Sequence, residues 1–261
     1  MGRRDRIKAK AEVCAAWLIA AAALQAQFLV LSPEPTAADI AAQSVEAMGG
    51  AAQFALIDSL KIRGRMRFGQ DAFTPFTVTA RRPNRFRLEL TAGSDHVVQA
   101  YDGTTGWQSV SGPHDQPPTV LAGESLARLI DRAANAIGGP LVDLEKRGNR
   151  AAYVGREAVN GVDCFKLNLT LGTGDRMVVF IDSSTFREIQ EELPIRIDGQ
   201  PATIQQSVGN YRRFGPIWVA CLFVTRQKGR EDSQRVEIDS VELNPPIEER
   251  LFEMSRSNGA N

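Results

Sequence analysis

Residues 60–68 read Leu60-Lys61-Ile62-Arg63-Gly64-Arg65-Met66-Arg67-Phe68. Even positions are apolar or glycine and odd positions are cationic. Side chains of a strand alternate between its faces, so this stretch is a strand with one dry face and one wet face. The same period recurs outward along the chain. Phe76, Val78 and Ala80 alternate with Thr77, Thr79 and Arg81, and Phe86, Leu88 and Leu90 alternate with Arg85, Arg87 and Glu89. Val98 and Ala100 lead to Asp102-Gly103, a hairpin signal, and Trp107 opens the return strand. Further on, Phe165, Leu167, Leu169 and Leu171 alternate with Lys166, Asn168 and Thr170; Gly172 to Asp175 turns, and Met177, Val179 and Ile181 return. Residues 186–196, 202–212, 217–227 and 234–243 are further strand candidates. Strands at this spacing, separated by turn signals, predict a mainly β, antiparallel meander of about ten strands rather than a parallel sheet.

Two stretches change the period to that of a helix. In 39–48, Ile40, Ala41, Ser44, Val45 and Met48 share a face; Asp39 is placed to cap the start and Gly49-Gly50 to stop it. A short turn, Ala51 to Ile57, leads into the first strand. In 124–137, Leu126, Leu129, Ile130, Ala133 and Ile137 fall at helical spacing, and Gly138-Gly139-Pro140 ends the run. Before that helix, Ser111 to Thr119 reads as a Pro-rich loop. There is no internal repeat and no long linker, so the region after residue 38 reads as one domain, 39–261.

The first 38 residues have a different character. Arg3, Arg4, Arg6, Lys8 and Lys10 form a basic head, an apolar run extends from Val13 to Leu31, and Ser32, Pro33, Glu34 and Pro35 follow. This is the order of a secretory signal. Cleavage is expected after Ala26 or after Ala38; the run is also near the length of a membrane span, so an uncleaved inner-membrane anchor is the alternative. Cys14 lies in this segment without a lipobox before it. Cys164 and Cys221 remain in the exported chain, free to pair in an oxidising compartment or to serve as small apolar residues in separate strands.

Composition excludes several functions. Lys plus Arg is 31 and Asp plus Glu is 31, so no basic excess points to nucleic acid. The two histidines, His96 and His114, have no nucleophile at a motif spacing and read as exposed loop residues. Gly172-Thr173-Gly174 is a hairpin turn and not a phosphate loop, because no Lys follows and no helix opens there. No catalytic residue, metal or cofactor is expected, and the protein is expected not to be an enzyme.

A set of runs in order carries a resemblance. They are Ala42 to Gly50 (AQSVEAMGG) followed by Leu60 to Gly64, Arg82-Pro83-Asn84-Arg85-Phe86-Arg87, Gln99 to Trp107 (QAYDGTTGW), Gly139 to Asp143, Gly155 to Gly161, and Val241 to Pro245 with Phe252. Together they resemble the periplasmic outer-membrane lipoprotein-sorting proteins, the LolA/LolB-like superfamily. The resemblance implies a strongly curved antiparallel sheet, an unclosed barrel with helices as a lid over its apolar concave face. It also implies a cavity that carries or senses acyl chains, with no catalytic residues.

The expected lipid-binding cavity comprises Ile62, Met66, Phe76, Val78, Phe86, Leu88, Leu90, Leu126, Leu129, Ile130, Leu167, Leu169, Val179 and Ile181. The expected function is a monomeric periplasmic carrier of lipid acyl chains or lipoproteins between membranes, working with membrane-bound donor or acceptor proteins. The alternative is a membrane-tethered envelope sensor or interaction module on the same fold. The Arg63, Arg65, Arg67 row reads either as a solvated strand face or as a surface for anionic headgroups.

Overall fold

The structure is a computed structural model that describes residues 34–197 and 200–254. The basic head, the apolar run and the residues around Ala26 lie outside the described residues.

Thirteen antiparallel strands form one curved sheet that does not close into a barrel. They are β1 (Ser59–Phe68), β2 (Thr74–Arg81), β3 (Arg85–Ala92), β4 (Asp95–Tyr101), β5 (Gly106–Ser111), β6 (Gln116–Val120), β7 (Arg150–Val159), β8 (Val162–Thr170), β9 (Arg176–Asp182), β10 (Glu188–Ile197), β11 (Gln200–Phe214), β12 (Ile217–Gln227) and β13 (Ser233–Leu243). Across the sheet the order is β6-β5-β4-β3-β2-β1-β13-β12-β11-β10-β9-β8-β7. The chain therefore enters at the middle, walks out to one edge, crosses over, and walks back from the other edge. Among the described residues the α-helices are α1 (Ala37–Ala47), α2 (Ala51–Ala55) and α3 (Gly123–Asn135), and α3 is part of the crossover.

The alternation of β1 determines which way it faces. Leu60, Ile62, Gly64 and Met66 point to the concave side, where Leu60 pairs with Ala80 and Ile62 with Val78. Gly64 is required there for space. A Cβ on it would lie 2.3 Å from the Glu237 carbonyl oxygen and 2.8 Å from Phe76 Cζ. The seam between β1 and β13 is held at its end by Asn244, whose Oδ1 accepts from Asp58 N at 2.7 Å and whose Nδ2 donates to the Leu56 carbonyl at 2.9 Å.

Most of the concave face is one buried cluster with Ile40, Ala41 and Val45 of α1, Phe54 of α2, and Leu129 and Ala133 of α3. The convex face has smaller clusters. Val98, Ala100 and Trp107 form one of these. Trp107 Nε1 donates to the Phe252 carbonyl at 2.8 Å, and Arg87 donates to the Leu251 carbonyl at 2.9 Å, which docks the C-terminal 3₁₀ turn Glu249–Phe252.

Three expectations need correction. The 111–119 loop contains β6, with Pro117 and Pro118 inside it. An edge strand tolerates prolines because one row of its amides has no partner. The other edge strand, β7, has its alternation interrupted at Gly155, where φ is +116° and the register with β8 shifts. The first helix begins at Ala37, not residue 39. Thr36 is its cap and Asp39 is at the third helical position, each bonding back to the other as a capping box. A chain starting at Asp39 would lack that cap. Lastly, His96 lies within β4 and not in a loop. Cys164 and Cys221 are buried free thiols on β8 and β12.

Candidate lipid-binding cavities

The concave face is filled on one side and open on the other. Leu167, Leu169, Val179 and Ile181, on β8 and β9, are 0–1% exposed. They lie within the packed core and line none of the cavities described here. Phe165 beside them stacks on Phe186, with ring centres 5.5 Å apart, and meets Tyr153 edge-on at 6.1 Å.

Over β1, β2, β3 and β13 the cover is incomplete. A largely apolar groove of about 480 Å³ runs over these strands, lined by Met66, Phe76, Val78, Phe86, Leu88, Leu90 and Val236, together with Arg67, Asp71, Gln234 and, from α3, Arg132. Six of the expected cavity residues meet here. The α3 residues Leu126, Leu129 and Ile130 belong to the same apolar cluster as the sheet. α3 comes close because β5 begins with glycine: a Cβ on Gly106 would lie 2.6 Å from Leu126 Cδ1. Its C-terminal end is held by Arg147, which donates to the Ile137 and Gly139 carbonyls at 2.8 and 2.9 Å. A cation at a helix C-terminus also complements the helix dipole. Farther along, Thr173 in the β8–β9 turn donates to Asp131 of α3 at 2.8 Å.

A second cavity, of about 260 Å³, lies beneath Met48, Phe54 and residues 136–140; Ile62 lines it with Leu60, Ile217 and Val241. Its wall also contains Glu188, Glu191 and Tyr211. Gln206 donates to Glu191 at 2.9 Å and accepts from Thr225 at 2.9 Å. Tyr211 donates to the Glu188 backbone carbonyl at 2.7 Å. Burial pushes both carboxyls above the usual range, and Glu188 is raised further by the charge of Glu191. Burial also raises the Tyr211 phenol.

Sequence reasoning missed these acids for a geometric reason. Parity puts Glu188 and Glu191 on opposite faces of a strand. In the structure the register shifts between Glu188 and Gln190, so that Glu188 pairs with Ile181 and Glu191 with Val179. Ile181 and Val179 share the concave face, so a β-bulge turns both acids inward. The available signal was Glu191, which keeps parity with Leu193 and Ile195.

A wider groove of about 580 Å³ between α1 and residues 141–151 is lined by alanines together with Glu46, Asp143, Glu145, Lys146 and Arg150. Its charged rim makes it a poorer acyl-chain site. The arginine row of β1 is a paired surface. Arg63 bonds Glu242, Arg65 bonds Glu237 at 2.6 Å, and Arg67 lies 4.9 Å from the Phe73 ring centre. His96 Nε2 lies 3.7 Å from Glu89, and His114 Nδ1 lies 2.7 Å from Asp95. Neither histidine lines a cavity described here. Among the described residues no group of His, Cys, Asp and Glu is arranged to hold a metal, and no helix is long and apolar enough to cross a membrane.

No protein-family model matches the sequence, and no curated protein matches it. Solved structures do. A LolA superfamily protein from Nitrosomonas europaea aligns with TM-score 0.58 at 14% identity, over 84% of this chain and 98% of that one. A DUF1329 family protein from Desulfovibrio piger aligns with TM-score 0.57 at 12% identity, over 82% and 95%. A putative outer membrane lipoprotein-sorting protein domain from Vibrio parahaemolyticus aligns with TM-score 0.54 at 13% identity, over 83% and 95%. Such low identity speaks to architecture alone. The open curved sheet, with helices against its concave face, is a LolA-like fold.

Proposed function

We propose that the protein is a periplasmic carrier that takes up acyl chains of a lipid or lipoprotein in the concave groove and moves them between membranes. The observation that carries this reading is the open, largely apolar groove of about 480 Å³ over strands β1–β3 and β13. A largely apolar concavity with a few polar groups at hand is a ligand site by default. Burial of a methylene stabilises by about 0.8 kcal/mol, so a sixteen-carbon chain contributes about 12 kcal/mol gross. A carrier must also release its load, and α3 supplies a route. It reaches the groove through Arg132 and is tied to the β8–β9 turn by the hydrogen bond from Thr173. The likeness to a lipoprotein-sorting domain supports the reading, as does the basic and apolar N-terminal sequence.

The test is saturable binding of a fluorescent fatty acid, together with mass spectrometry of denatured protein purified from its own envelope. A co-purifying acylated molecule and displaceable fluorescence are expected. Absence of both would overturn the proposal.

A further inference from the structure

The groove accounts for the apolar side chains but not for Glu188 and Glu191. Two acids inside a lipid-binding fold are costly, and such groups persist where they are paired or where they act. Protein donors reach them unevenly. Glu191 accepts from Gln206 at 2.9 Å, whereas Glu188 Oε1 is buried and receives no protein donor. A proton shared with Glu191 is what the protein itself offers Glu188. Among the described residues no Lys or Arg forms an ion pair with either acid. The nearby cation, Arg187, lies over two rings that line the same cavity, 4.3 Å from the Trp218 ring centre and 5.2 Å from that of Tyr211. A pair sharing one proton still carries a negative charge, and that charge faces an apolar cavity of about 260 Å³.

We propose that the Glu188–Glu191 pair is the docking point for an ammonium group on an amphiphile, whose alkyl chain lies in the apolar cavity beside it. The inference rests on the acyl-chain reading and adds the charge of the head. A primary ammonium brings what the pair lacks: a positive charge and several N–H donors in a compact group. Hydrogen bonds and ion pairs of this kind strengthen where water is excluded. The ammonium neutralises the single negative charge of the pair and donates to its free oxygens, while the shared proton stays between the two carboxyls, so charge and protons balance. Tyr211, held on the Glu188 backbone, lines the cavity, and Gln206, held by Thr225, fixes Glu191.

The experiment compares decylamine, decanol and decanoate, each below its micelle concentration, by calorimetry on the purified protein at neutral pH. Decylammonium is expected to bind tighter than decanol by on the order of tenfold or more. In Glu188→Gln/Glu191→Gln that preference should vanish while decanol still binds. Equal affinity for the amine and the alcohol in the parent protein would overturn the inference and leave the acyl-chain reading standing. The parent comparison does so even if the double variant fails to fold. A preference that survives in a folded double variant would overturn it as well. Failure of all three amphiphiles to bind would overturn the acyl-chain reading, and the inference with it.

Discussion

Strands β8–β9 and strands β1–β3 carry the same alternation of apolar and polar residues, yet one region is solid and the other is open. Leu167 and Leu169 are 0–1% exposed, in a core completed by α1 and by the rings of Phe165 and Phe186. Leu88, Leu90 and Val78 are only partly buried and face a groove. An apolar strand face therefore specifies that something must cover it, without specifying whether the cover is protein or ligand. The difference lies in the helices: the three short ones among the described residues cannot roof thirteen strands.

The largest effect should come from placing a charge on the solid side. Leu169→Glu puts an unpaired carboxylate into a filled core and should cost above about 4 kcal/mol, with loss of the cooperative thermal transition in circular dichroism. A melting curve close to the parent's would mean that this side is also hollow.

The same chemistry on the open side should separate binding from folding. Leu88→Glu leaves the charge within reach of water, so stability should fall by only about 1 kcal/mol. Fluorescent fatty-acid binding should weaken on the order of tenfold or more, because the carboxylate lies where the chain packs. Unfolding of this variant would erase the contrast between the two regions.

Asp131 joins the two, since it extends from α3 to the β8–β9 turn. Burial, reinforced by the charge of Asp175, raises its carboxyl to about 6. The unfolded value is near 3.9. The native state therefore binds more protons between these values, and stability falls as pH rises through that window. With solvent screening allowed for, the loss is about 1 kcal/mol. Asp131→Asn, which keeps an acceptor for Thr173, should melt higher than the parent at pH above about 6 and equal to it below about 4. A gap independent of pH would show that the carboxyl is not strained.

The smallest effect is expected outside both regions. His96→Ala with His114→Ala should change stability by less than about 0.5 kcal/mol and leave acyl binding unchanged. A loss of binding with the fold preserved would place an unrecognised site on β4.

The central strands were legible because each half-buried strand keeps its parity, as β1 does from Leu60 to Phe68. The edges were harder to read. Pro117 and Pro118 mark a loop in most contexts and are allowed in β6 because that strand is paired on one side only. The groove walls on β1–β3 were legible from the same parity that marked β8 and β9. The acids at 188 and 191 were hidden by the bulge between them, because a one-residue insertion changes parity without leaving a trace in composition.

The order of strands also bears on how the chain reaches this state. Nearly every pairing joins neighbours in sequence, so β1–β6 and β7–β13 are two runs of local hairpins. The exception is the β1–β13 seam, where Arg63 meets Glu242 across 179 residues. Closing so long a loop is the entropically expensive event, and hairpins that form beforehand shorten the effective chain. Assembly of the protein is therefore expected to run as two meanders that mature separately and then zip along one line. Destabilising substitutions within that line, at Asn244 for example, should slow refolding in stopped-flow measurements, whereas those at the outer edges should mainly speed unfolding.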